Sequence, residues 1–137
     1  MCQAVQFLFD GKTRETHFTH HHAHLPVMTR QSSALLLPWG RRKHETCDLP
    51  FGGWARLQNI QGGRWEKYAA RPVKLPITAF MELDINRSSH WSPVTAGQYL
   101  QGLIAESRSE RRVYIVTLEV SPDELYFERW PRIISSL

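Results

Sequence analysis

Cys2 stands directly before an alternating apolar run, Gln3-Ala4-Val5-Gln6-Phe7. A residue this small at position 2 favours removal of the initiator methionine. Removal would leave Cys2 with an α-amine and a thiol on one residue, a 1,2-aminothiol. Both groups titrate near neutrality, the amine at about 7.7–8.0 and the thiol at about 8.5. With an aldehyde, the amine forms a Schiff base that the thiolate closes into a five-membered ring. With an ester or amide, the cysteine would be the attacking nucleophile. Taken alone, Cys2 reads first as a small buried residue opening a strand, the usual habit of a free cysteine.

A second group able to do chemistry is Glu82, in Ala79-Phe80-Met81-Glu82-Leu83. A carboxylate buried there would have its pKa raised, the usual route to a general acid or base near neutral pH. Simple alternation instead puts Glu82 on the polar face of its strand. Arginine and tryptophan lie close together in Trp39-Gly40-Arg41-Arg42, Trp54-Ala55-Arg56, Arg64-Trp65 and Arg129-Trp130. That interleaving suits single-stranded nucleic acid, charge for the backbone and rings for the bases. It equally suits core tryptophans beside solvated arginines. His17 to His24 holds five histidines in eight residues. On an extended chain His20, His22 and His24 would share a face and could chelate zinc. Neither a carboxylate nor a cysteine is spaced to complete such a site, so the tract reads as a solvated loop and no metal or other cofactor is expected.

The elements that must position these groups are mostly strands. Gln3 to Phe9 alternates with period two, Asp10-Gly11 signals a hairpin, and Thr13 to Thr19 returns as its partner. Leu25 to Met28 and Ser33 to Pro38 read as two further strands, the second apolar on both faces and so expected to be central. Arg41 to Pro50 is a basic loop, and the paired glycines of Phe51-Gly52-Gly53-Trp54 allow a close backbone approach. Trp54 to Ile60 suits a short helix stopped by Gly62-Gly63. Arg71 to Ile77 is held extended by its prolines. Ala79 to Leu83 is a strand and Asn86 to Ser89 a turn. Gln98 to Ala105 and Arg111 to Val120 form a second hairpin. Ser121-Pro122 spells a helix start, and Ile133-Ile134 a short terminal strand.

The chain has 137 residues, 42% of them apolar and 22% charged, which fits one globular domain over residues 1–137 rather than a disordered chain. Membrane association is not expected, since no apolar run approaches the roughly 20 residues a span needs. With Asp10-Gly11-Lys12 interrupting the early apolar stretch there is no secretory signal, so a cytoplasmic location is expected. Two cysteines, Cys2 and Cys47, make no disulfide framework. The net charge is +4, from 13 Arg and 4 Lys against 13 acidic residues. Arginine's planar fork matches phosphate and stacks on rings, as lysine does poorly.

Several segments occur together in one order: Met1-Cys2, Pro38-Trp39-Gly40, Trp54-Ala55-Arg56, Phe80-Met81-Glu82, Val116-Thr117 and Arg129-Trp130-Pro131. In this the chain resembles a short, diverged member of the SOS response-associated peptidase (SRAP) family, the abasic-site-processing proteins. The matches are short and scattered over most of the chain, and only the Cys2 start is individually specific.

The resemblance implies an irregular, mostly β (α+β) barrel or sheet fold with a few short helices and a groove for single-stranded DNA. It implies a monomeric DNA-damage protein whose cysteine, exposed by autopeptidase removal of Met1, traps the abasic aldehyde as a thiazolidine, a DNA–protein crosslink. Cys2 would be the nucleophile and Glu82 the proton-transferring acid. Arg56 would bind phosphate beside the lesion, and Arg129 would match the arginine of the family's His-Asp-Arg-x-Pro segment. Trp39, Arg41, Arg42 and Trp54 would join them on the DNA surface.

The departures bear on the chemistry. The family's asparagine before Ala-Arg is Trp54, its histidine falls at Phe127, and the arginine near its amino terminus is Ala4. Phe127 cannot transfer a proton. Either Glu82 works alone, or His90 or a member of the histidine tract substitutes, or the chain is a non-catalytic module binding nucleic acid or a protein partner.

Overall fold

Asp10 and Gly11 both take left-handed backbone angles, φ 51° and 74°, the geometry of a tight hairpin. They join β1 (Cys2–Phe9) to β2 (Lys12–His17) in a computed structural model that describes residues 2–31, 33–108, 110–119 and 129–135. The chain continues through β3 (His24–Met28), β4 (Ala34–Pro38), β5 (Trp54–Arg56), the one-turn helix α1 (Leu57–Gln61) and a 3-10 turn at Glu66–Tyr68. There follow β6 (Arg71–Leu75), β7 (Ala79–Leu83), β8 (Ser89–Pro93), β9 (Tyr99–Ser107), β10 (Glu110–Glu119), β11 (Arg129–Pro131) and β12 (Ile133–Ile134). The architecture is mostly β, as the alternation predicts.

One antiparallel sheet has the order β2-β1-β7-β8. A second is built on the β9–β10 pair, with β6 and β12 on β9, β11 on β10, and β5 running parallel to β10. β3 and β4 form a separate two-stranded ribbon. The main core lies between these layers and contains Cys2, Val5, Phe7, Leu25, Trp39, Leu75, Phe80, Val113 and Ile115. A smaller cluster of Leu49, Trp65, Leu103, Tyr114 and Val116 covers the other face of β10 under α1. Alternate residues of β10 therefore serve two cores, which is why Val113 to Val116 is apolar without a break.

Three sequence expectations change. Leu35-Leu36-Leu37 is not in a central strand; β4 pairs only with β3 and buries itself by packing against β10. Trp54 to Ile60 is not all helix. Trp54–Arg56 is drawn into parallel pairing with Ile115, Val116 and Thr117, and the helix begins only at Leu57, so tertiary pairing overrides local propensity. β8, beyond the expected turn, is an edge strand of polar residues carrying a proline, a composition that alternation misses. The Ser121-Pro122 helix start and Phe127 lie outside the described residues. Among the described residues no helix is long and apolar enough to cross a membrane.

Candidate functional site

β1 is not regular. Its register on β7 shifts between Cys2 and Ala4, so that Cys2 pairs with Glu82, Ala4 with Met81 and Val5 with Phe80. Strict alternation from Val5 and Phe7 would turn residue 2 to the opposite face. The extra residue of the bulge turns it back, so Cys2 joins Val5 and Phe7 in the main core. Glu82 pairs on its other side with His90 of β8. Cys2, Glu82 and His90 therefore stand in one row across three adjacent strands. Directly opposed side chains in such a ladder have Cβ atoms about 4.5–5.5 Å apart.

Exposure rises along the row: Cys2 and Glu82 are at 0% and the His90 side chain at 50%. Glu82 is thus not on a polar face, as alternation expects; β7 is covered on both sides in its middle. Burial raises its carboxyl pKa to about 7, against the opposing pull of the amino-terminal charge and of Arg129. Burial also pushes the Cys2 thiol well up, and the Glu82 charge adds to the shift. The thiol lies 3.6 Å from the Ala4 carbonyl oxygen. His90 Nε2 donates to Asp84 Oδ2 at 2.7 Å. Asp84 Oδ1 in turn accepts from the Asn86 and Ser88 amides, at 2.8 and 2.9 Å. The β7–β8 turn and the histidine are therefore fixed by one carboxylate, whose pKa the His90 bond holds below the usual range.

The second sheet faces this row. Trp54 Nε1 donates to the Cys2 carbonyl oxygen at 2.7 Å, tying β5 to the start of β1. The Trp54 indole thus holds the Cys2 backbone. Arg56 is exposed and pairs with Thr117, which has Pro131 opposite on its other edge. Thr117 shares the face of β10 that carries Val113 and Ile115 into the main core. It is 1% exposed, and among the described residues its hydroxyl has no hydrogen-bond partner. Arg129 of β11 pairs opposite Glu119 and its charge reaches Glu82. Trp130 packs edge-on against Phe80, with centroids 5.1 Å apart.

Other expected DNA contacts serve the fold instead. Trp39 is at 0% exposure, and its indole donates to the Gly53 carbonyl at 2.9 Å. A ring so enclosed stacks on no base. The buried Arg42 donates to the Phe18 and Trp39 carbonyls, both at 2.8 Å. Arg41 donates to the Glu45 and Leu49 carbonyls and lies over the Phe51 ring. Both arginines pin the 41–50 loop, with Glu45 bridging Arg42 to Arg112. The glycine pair makes its close approach within the protein: a Cβ on Gly53 would meet the Trp39 indole at 2.5 Å and the Phe18 ring at 2.7 Å.

The histidine tract forms the turn between β2 and β3. His17 bonds Glu15, His24 Nδ1 bonds the His22 carbonyl, and the His21 ring lies near those of His22 and His44. Among the described residues no group of three or more His, Cys, Asp or Glu side chains is placed to hold a metal ion. No protein-family model, curated protein or solved structure matches the chain. The chemistry has to be read from the residues.

Sequence reasoning missed Thr117 and offered His90 only as one of several possible substitutes. His90 was visible only as an isolated histidine, since its place depends on the register of a strand that alternation does not reveal. Thr117 sits in an apolar run, where a lone threonine reads as an ordinary β-branched strand residue.

Proposed function

We propose that the chain captures the ring-opened aldehyde of an abasic site in single-stranded DNA through Cys2, once Met1 is removed. The pairing of Cys2 with a buried carboxyl of pKa about 7 supports this most directly. The Cys2 amine attacks the aldehyde carbon to give a carbinolamine. Protonated Glu82 gives its proton to the carbinolamine hydroxyl, and water departs, leaving the Schiff base. The Cys2 sulfur then bonds to the carbon of this protonated Schiff base, whose C=N electron pair falls back to nitrogen, while Glu82 takes the thiol proton and is protonated again. A carboxyl poised near neutrality performs both transfers; an ordinary one, fully ionised, would fail at the first. Glu82 is shut off from solvent, so its proton must come through a neighbour. His90, next in the row and half exposed, fills that role with Asp84 fixing its ring. Arg56 and Arg129 supply charge for the flanking phosphates, contacts that position a strand without reading its sequence.

The test uses protein whose intact mass proves the loss of Met1. Incubated with abasic single-stranded oligonucleotide, it is expected to give a heat-stable, slow-migrating adduct. Cys2→Ala abolishes the adduct, and Glu82→Gln slows its formation about 10²-fold. No adduct from the mature wild-type protein rejects the proposal.

The complete burial of Cys2 favours a second reading, a non-catalytic module that binds nucleic acid or a protein partner on the same face. Retained Met1 together with DNA binding unaffected by Cys2→Ala would establish it.

A further inference from the structure

The β3–β4 ribbon does not close fully on the layer formed by β6, β9 and β10. Between them is a cleft of about 540 Å³. That volume is within the range of small-molecule sites, about 300–1,000 Å³. The cleft shares no residue with the Cys2–Glu82–His90 row.

Its floor is aliphatic: Leu37 of β4, Val73 of β6 and Ile104 of β9, with Leu35 at the mouth, 43% exposed. Its polar edge is of one sign. Arg30, Arg71, Lys74 and Arg111 line it, and among the described residues no carboxylate does. Two of these cations are engaged. Arg71 Nη1 lies 3.2 Å from Glu106 Oε1, and Lys74 Nζ sits 5.1 Å above the Tyr99 ring. Glu106 is also the cross-strand neighbour of Arg111, but its ion pair is with Arg71. Arg30 projects from a turn closed by the Thr29 amide and hydroxyl, which donate to the Ser33 carbonyl at 2.8 and 3.0 Å. Among the described residues the guanidinium groups of Arg30 and Arg111 have no ion-pair or hydrogen-bond partner.

We propose that this cleft binds a small amphiphilic anion, an aliphatic chain lying over Leu35, Leu37, Val73 and Ile104 with an anionic oxygen head held by Arg30 and Arg111. Charge selects the head, because a cationic one would meet four like charges. The floor selects the tail. A single-stranded nucleic acid would need aromatic platforms for its bases, and among the described residues no ring lines the cleft.

The experiment is calorimetric titration of the full chain with decanoate, kept below micelle formation, beside decyltrimethylammonium of equal chain length. Decanoate is expected to occupy one site and to bind at least about tenfold more tightly than the cation. The double variant Arg30→Glu/Arg111→Glu is expected to lose about tenfold or more in decanoate affinity. Leu35→Asp, at an exposed position that folding tolerates, is expected to weaken decanoate as well. Circular dichroism confirms that each variant keeps its β spectrum. Equal binding of the two amphiphiles overturns the proposal, as does decanoate binding that survives both sets of substitutions. Displacement of decanoate by a short single-stranded oligonucleotide, lost in the charge-reversed variant, overturns it in favour of a polyanion site.

Discussion

A carboxyl with a pKa raised to about 7 holds its proton more firmly in the folded chain than in the unfolded one. For Glu82 the sign follows directly. Between its unfolded pKa, about 4.3, and 7, the native state binds the extra proton, so stability falls as pH rises and levels off above 7. The shift corresponds to roughly 3 kcal/mol. Glu82→Gln is therefore expected to flatten the stability profile between pH 5 and 7. At pH 8 it should unfold at higher denaturant than wild type, by up to about 3 kcal/mol. Parallel profiles for the two proteins in urea titrations across that range would show that Glu82 is not the buried acid described. Cys2 was conspicuous in the sequence because position 2 and residue type speak for themselves. The burial of Glu82 was not legible, since it depends on which strands cover β7 on each side, and local alternation is silent about that.

At the scale of single elements, the proposed reaction relies on β8 and the turn before it to recharge Glu82. His90→Ala removes the exposed end of the row and leaves Asp84 to hold the turn through its bonds to Asn86 and Ser88. Adduct formation in dilute buffer is expected to slow about tenfold, and added imidazole to restore it. A rate unchanged by the substitution, or lowered but deaf to imidazole, rejects the relay while leaving the covalent reaction itself standing. The long β9–β10 hairpin was legible as two strands and their connection, and β3 and β4 as strands, but not their pairing into a separate ribbon. β8 was not: its serines, histidine and proline carry none of the β-branched pattern that announces a strand. At the meeting of β4 with the loop before β5, Gly40 has φ 55°, and a Cβ there would lie 2.1 Å from the Gly52 carbonyl oxygen. Gly40→Ala is expected to cost at least about 2 kcal/mol, read as a lowered melting temperature. An unchanged melting point would mean that the two segments are not packed as described.

For the molecule as a whole, the expected Arg/Trp surface divides in two. Trp39, Arg41 and Arg42 build the interior and the 41–50 loop, while Trp54, Arg56 and Arg129 gather on the face that carries Cys2. Composition could not separate these groups, because a tryptophan beside an arginine looks the same whether it ends in a core or on a surface. Non-covalent binding to intact single-stranded DNA should weaken as salt rises, because arginine–phosphate contacts release counterions. Arg56→Ala should shallow that dependence by about one phosphate's worth, a slope change of roughly 0.7 in log–log form. Arg41→Ala should leave the slope alone, and equal slope changes for both variants would refute the division.

The irregularity near the start of β1 carries a last consequence. Residue 2 stands an odd three places from Val5 and looks inward only because the bulge absorbs one residue between them. Excising Gln3 would straighten the edge yet leave the sulfur on the inner face opposite residue 82, because Cys-Ala-Val then alternates regularly. Flattening the kink with the chain length unchanged would instead turn the sulfur outward, so the kink and the residue count have to match.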